Sequence, residues 1–220
     1  MLKLTVSQLR SLILGALMMG GCLLFTLGVR LMSHGESDSF LSGYALGVMV
    51  AYMVLIPFVM MLTNGSFGVR LALSMGAVRR DLTGQLAVMN AVFCAMLLAV
   101  LAVVEEALRL WNGGEPIPAV AWAGMLGLGL VCGAVGEGAG VLGLRCPVRV
   151  VVLAVLGVCA VGVVLIIYVV AGFILNFGPM ALLLRAGTAA VWAAGFALLA
   201  VLWGIFTAVV HRLVKMTVVS

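Results

Sequence analysis

The chain has 220 residues, of which 65% are hydrophobic and 9% are charged, and its formal net charge is +5. So little polar surface cannot cover a water-soluble globule, which excludes a soluble domain. The basic residues stand at the ends of apolar segments and not along one stripe, so the charge indicates membrane topology and not nucleic-acid binding. At roughly 20 residues for each crossing of the bilayer, the length predicts one all-α transmembrane domain, residues 1–220.

Six membrane spans are predicted, with both termini in the cytoplasm. Residues 1–11 are expected to form a short helix at the inner membrane surface, because Leu2, Val6 and Leu9 share one helical face. Nine basic residues fall on the side of the termini and three on the other side, which places the termini inside. The approximate spans are 12–32, 40–62, 82–104, 119–144, 150–174 and 186–210.

The segment between spans five and six has two interpretations. Residues 175–184 contain too few apolar residues to cross the membrane and too many for an ordinary loop. Asn176, Gly178 and Pro179 interrupt the segment, and they can turn a re-entrant pair of short helices at the outer face. The alternative is a plain outer turn.

The most informative stretch is the inner segment 67–81, between spans two and three. Phe67, Leu71 and Met75 recur at four-residue spacing, which predicts a helix with one apolar face. Gly76 can end this helix, and the charged cluster that follows opens the next one. Such a helix either lies on the membrane or docks into the groove of a partner. The simpler alternative is a basic loop that fixes topology.

This segment resembles the "F…ALSMGATRRDF" signature that follows the second span in membrane subunits of bacterial ABC type-2 exporters. Val78 stands where threonine is common in that signature. The predicted surface helix, the six spans and the broken segment before span six are also similar to that family. The residues that carry the resemblance are Phe67, Leu73, Ser74, Met75, Gly76, Ala77, Arg79, Arg80 and Asp81.

The resemblance implies that the chain is the permease subunit of an ATP-driven exporter in the bacterial plasma membrane. In that family the inner segment is a coupling helix seated in a cleft of a separate ATPase subunit, which binds ATP and Mg. The chain itself has no GxxxxGK[ST] phosphate loop, so no cofactor is expected in it. The residues expected to contact the ATPase are Phe67, Arg70, Leu71, Ser74, Met75, Gly76, Arg79, Arg80 and Asp81.

A second membrane subunit is also expected as a partner. Six spans with so few polar groups hardly enclose a transport path alone, so a homodimer or a heterodimer with a related subunit is predicted. The outer loops are too short for a large capture domain, which suits a hydrophobic or amphipathic cargo such as a peptide antibiotic, a drug or a lipid.

Glu137 is the one acidic residue deep within a predicted span. An unpaired charge there costs roughly 3 kcal/mol on insertion scales, so the side chain needs a partner or water. It either contacts substrate along a translocation path or is a packing residue. Around it, Gly129/Gly133 and Gly136/Gly140 form a small-xxx-small pattern, which predicts close helix approach within the subunit or across a dimer.

Catalysis is not expected in this chain. Glu105, Glu106 and Arg109 are similar to the EExxxR motif of intramembrane CAAX-type proteases, but the spacing is one residue short. Those enzymes need histidines within spans, whereas His34 and His211 are predicted outside them. The five cysteines are scattered singly and offer no metal site. The alternative function is an ATPase-independent carrier, or a solute-binding membrane subunit of an uptake system, although no repeat supports it.

Overall fold

The computed structural model describes residues 38–74, 76, 79–112, 116–147, 149–158, 160 and 187–216. Within these ranges every element is a helix, and no strand occurs there. The all-α prediction is therefore confirmed for this part of the chain. The predicted surface helix 1–11, span one (12–32) and the segment 175–184 lie outside the described residues.

Four of the described helices are long and apolar enough to cross a membrane. They correspond to predicted spans two, three, four and six, and they comprise Met49–Ser74, Leu82–Ala107, Ala119–Gly143 and Thr188–Met216. A shorter apolar helix covers the start of predicted span five. The chain thus has the helices of a membrane protein, while the number of six spans and the side of the termini stay predictions.

Proline and glycine mark several helix ends. Pro118, in extended backbone with ψ of 142°, precedes the fourth helix, and Gly187, with φ of 97°, precedes the last one. Gly76 has φ of 81°, a value that favours glycine, and its N–H donates to the Leu73 carbonyl at 3.1 Å.

The helices are α1 (Asp38–Thr63), a π-helical segment (Asn64–Gly68), α2 (Val69–Ser74), α3 (Arg79–Asn112), α4 (Ala119–Gly143), α5 (Arg149–Val158) and α6 (Thr188–Met216).

The inner segment differs from the prediction at its start. Span two was expected to end near residue 62, before a separate helix, but α1, the π-helical segment and α2 form one uninterrupted run. The wide turn closes because the Val69 N–H donates to the Asn64 carbonyl, five residues back. The Ser66 hydroxyl donates to the Leu62 carbonyl at 2.9 Å, so a polar side chain beyond the predicted end of the span bonds to the helix backbone.

Two other helices extend further than predicted. Span six was expected to end at residue 210, but α6 continues to Met216, so His211 lies in the helix and not in a tail. Val214, four residues beyond Val210, is fully buried and holds this extension against the bundle. The outer loop was expected to begin at Glu105, but that residue lies within α3, which ends at Asn112.

The central helix of the described bundle is α4, which contacts α1, the π-helical segment, α3 and α6. One apolar cluster joins α1, α3 and α4. A second cluster, called the inner cluster, lies at the end of the bundle that carries Gly76, and this end is the one predicted to be cytoplasmic. The inner cluster consists of Val69, Ala72, Leu82, Leu86, Val141, Val210 and Val214.

Candidate functional site

The backbone of α4 lies directly against the backbone of α1 and of the π-helical segment that continues it. A Cβ atom on Gly136 would overlap the carbonyl oxygen of Phe58, and one on Gly140 would overlap that of Leu62. From the other side, a Cβ atom on Gly65 would lie 2.5 Å from the Glu137 carbonyl oxygen. Only glycine leaves room for this approach. The predicted close packing of the glycine pattern is confirmed, and it lies within the subunit.

The π-helical segment lies directly in this contact. Besides the Leu62 carbonyl, a Cβ atom on Gly140 would come within 2.8 Å of the Ser66 amide nitrogen. The irregular turn of one helix therefore rests on the glycine face of its neighbour. Backbone of this kind is tolerated at membrane depth only where protein covers it, and π-helical turns occur frequently at functional sites.

Glu137 is buried, with 2% of its surface exposed, and its Oε1 has no hydrogen-bond partner among the described residues. It stands six residues before the end of α4, which corresponds to about 9 Å of helix rise. Glu137 therefore lies midway between the centre of α4 and its inner end. A role on a translocation path stays a prediction.

Asn90 is a buried polar residue that the sequence analysis missed. It lies on α3, is 1% exposed, and its Nδ2 donates to the Leu130 carbonyl at 3.0 Å. Its Oδ1 accepts from the Cys94 thiol at 3.3 Å, and a Cβ atom on Gly133 would overlap the amide. Asparagine within an apolar span, opposite a glycine-rich span, is the sequence signal that could have found it.

A second hydrogen bond between helices joins α3 to α6 near the inner end. Thr83 Oγ1 and His211 Nδ1 are 2.9 Å apart, and Thr83 is buried. Both residues flank the inner cluster, whose members Leu82 and Val210 precede them in the chain. This contact was also missed, because His211 was assigned to a tail.

The segment predicted to contact an ATPase has one buried face and one exposed face. Val69 and Ala72 are buried in the inner cluster, whereas Phe67 is 63% exposed and Arg70 and Ser74 are exposed. The exposed residues are three and four positions apart, so they share one side of the helix. We call this side the inner docking face.

The other predicted contact residues are only partly described. Leu71 is half-buried and Gly76 is exposed. The backbone of Arg79 begins α3 as predicted. The remaining parts of the predicted set, namely Met75 and the side chains of Arg79, Arg80 and Asp81, lie outside what the structure describes.

No family model, curated protein or solved structure matches the chain. The resemblance of segment 67–81 to exporter subunits therefore rests on the sequence signature alone.

The residues of the protease-like motif form a local contact at the end of α3. Arg109 Nε donates to Glu106 Oε2 at 2.9 Å, one helical turn away. Within the described ranges, no three His, Cys, Asp or Glu side chains gather as a metal site.

Proposed function

We propose that this chain is the membrane-spanning subunit of an ATP-driven exporter in the bacterial plasma membrane. A separate ABC-type ATPase, which holds ATP and Mg, binds the inner docking face. The observation that carries this proposal is the exposure of Phe67 and Arg70 on a helix whose opposite face is buried. An exposed aromatic ring beside an arginine, at the edge of a bundle, has the composition of an interface hot spot.

The packing behind the inner docking face supports a transmission role. Val69 and Ala72 are in one cluster with residues of α3, α4 and α6. Because close-packed interiors transmit strain, a displacement of α2 by the ATPase moves the inner ends of these helices together. α2 is also continuous with α1, so the displacement reaches the span directly.

The cargo class and the second membrane subunit belong to the same proposal. The described helices meet through packed side chains and backbone, so we place the transport path at the interface with a second membrane subunit, identical or related. A hydrophobic or amphipathic cargo, such as a peptide antibiotic, a drug or a lipid, suits a path bordered by these apolar helices.

The test is copurification of an ATPase with the tagged chain, expressed with its neighbouring genes and extracted in mild detergent. Phe67→Glu and Arg70→Glu are expected to weaken ATPase binding by about 30-fold each, the value that corresponds to a hot spot of about 2 kcal/mol. The matched controls are Met216→Glu and Arg212→Glu, which alter exposed residues at the inner end of α6.

The outcomes separate the interpretations. Retention of the ATPase by both α6 controls and its loss from both α2 variants would support the inner docking face. Equal loss from all four variants would show that added negative charge at the inner end is the cause, and would contradict a specific contact. Wild-type chain that purifies without any ATPase would overturn the exporter proposal.

A second candidate is the ATPase-independent carrier or solute-binding subunit. The observation that favours it is the presence of the buried polar side chains Thr83, Asn90 and Glu137 within the helices, since polar groups in spans often mark solute paths. Binding of a small solute by the purified chain, lost in Glu137→Gln without loss of fold, would favour this candidate.

A further inference from the structure

The turn between α4 and α5 presents two exposed arginines at the inner end. Arg145 and Arg149 flank Pro147, and neither forms an ion pair with a described residue. The Cys146 N–H donates to the Leu142 carbonyl at 3.0 Å. The Val150 N–H donates to the Pro147 carbonyl at 2.9 Å. Backbone hydrogen bonds therefore hold the residue that follows each arginine.

The exposed side chains that follow this turn along α5 are all apolar. Leu153 and Leu156 follow Arg149 at four and seven residues along α5, so the three side chains lie on one face of the helix. Leu153 is 68% exposed and Leu156 is 59% exposed. From Arg149 to Leu156 the helix rises about 10 Å.

We propose that this face binds an anionic phospholipid of the inner leaflet. Arg145 and Arg149 contact the headgroup phosphate, and one acyl chain lies along Leu153 and Leu156. Basic residues next to a membrane segment attract anionic lipids, and arginine binds phosphate with a planar fork of donors. A soluble protein partner fits less well, because every exposed side chain of α5 beyond Arg149 is apolar.

The test compares binding of phosphatidylglycerol and of phosphatidylcholine with the same acyl chains to the purified full chain, measured by native mass spectrometry. Wild type is expected to prefer phosphatidylglycerol. In Arg145→Gln/Arg149→Gln the affinity for phosphatidylglycerol is expected to fall about 30-fold, because each basic residue near an anionic surface contributes about 1 kcal/mol, or about fivefold. Affinity for phosphatidylcholine is expected to change much less.

Two further variants keep the inference falsifiable. Arg70→Gln/Arg212→Gln removes two other exposed arginines at the inner end and is expected to retain the preference. Leu153→Asn/Leu156→Asn is expected to lower the affinity for both lipids by similar factors, because the two lipids have the same acyl chains. Equal binding of the two lipids by wild type would overturn the inference, as would an equal loss of preference in the Arg70/Arg212 variant.

Discussion

Gly136→Ala is expected to destabilise the bundle, although alanine is the better helix former. The added Cβ would overlap the Phe58 carbonyl oxygen, and it would lie 3.0 Å from the carbonyl carbon and 3.1 Å from the Cα. These are backbone atoms, so no side-chain rotation relieves the contact and α4 must move away from α1. Overpacking of this kind costs about 1–3 kcal/mol, against a propensity gain of about 0.5–1 kcal/mol.

The matched control for this variant is Gly124→Ala in the same helix. A Cβ atom at Gly124 has nothing within 4 Å, so this variant keeps the propensity gain and lacks the clash. The difference between the two variants therefore isolates the packing cost, about 1–3 kcal/mol.

The assay is reversible unfolding of the purified chain in mixed micelles, with helix content followed by circular dichroism. Gly136→Ala is expected to unfold at lower denaturant than wild type, and Gly124→Ala at equal or higher denaturant. If the two variants unfold at the same denaturant concentration, the backbones of α4 and α1 are not in direct contact at Gly136, and the reasoning fails.

Substitutions at three further positions test single features of the structure, each by the same unfolding assay. Gly76→Ala is expected to cost about 1–2 kcal/mol because of its left-handed backbone, and Gly76→Asn is expected to cost less, since asparagine tolerates this conformation. Asn90→Leu removes the hydrogen bond to Leu130 and is expected to cost about 0.6 kcal/mol or more, the average for such bonds between membrane helices. Thr83→Val removes the contact with His211 at nearly constant volume, with a similar expected cost.

The expectations for Gly76, Asn90 and Thr83 can each be contradicted. An Asn90→Leu protein as stable as wild type would show that the hydrogen bond to Leu130 contributes nothing to stability. Equal stability of the alanine and asparagine variants at Gly76 would show that the backbone conformation carries no strain. A Thr83→Val protein as stable as wild type, when His211→Ala is destabilised, would assign the contribution of His211 to packing and not to the hydrogen bond.

Helix positions that depend on local sequence were predicted well. Span four was expected over 119–144 and α4 covers Ala119–Gly143, because Pro118 restricts the chain before it and the turn that contains Pro147 follows it. The end of the inner helix at Gly76 and the start of the next at Arg79 also depend on local backbone preference.

Features that depend on tertiary contacts could not be predicted. Span two was expected to end near residue 62, and the helix continues through Asn64 where the Gly65 backbone meets α4. The extension of α6 past residue 210 depends on the burial of Val214 and on the contact between His211 and Thr83. No periodicity in the sequence indicates which helix supplies these partners.

The candidate site was predicted in part. The four-residue spacing of Phe67 and Leu71 predicted a distinct helix face, and Phe67 is exposed on it. The buried side of that helix was not predicted, because Val69 and Ala72 differ little from their apolar neighbours in sequence. Their burial follows from packing in the inner cluster with residues of α3, α4 and α6, which come later in the chain.

The π-helical segment fixes the rotational phase of α2. A π turn contains one residue more than an α turn, and one residue turns an α-helix by about 100°. Deletion of one residue within 64–68 would restore ordinary α-helix and leave Val69 in the inner cluster. Deletion of a residue from the regular helix before it would instead rotate Phe67 and Arg70 to another side. The number of residues in this one turn thus decides the direction in which the inner docking face points.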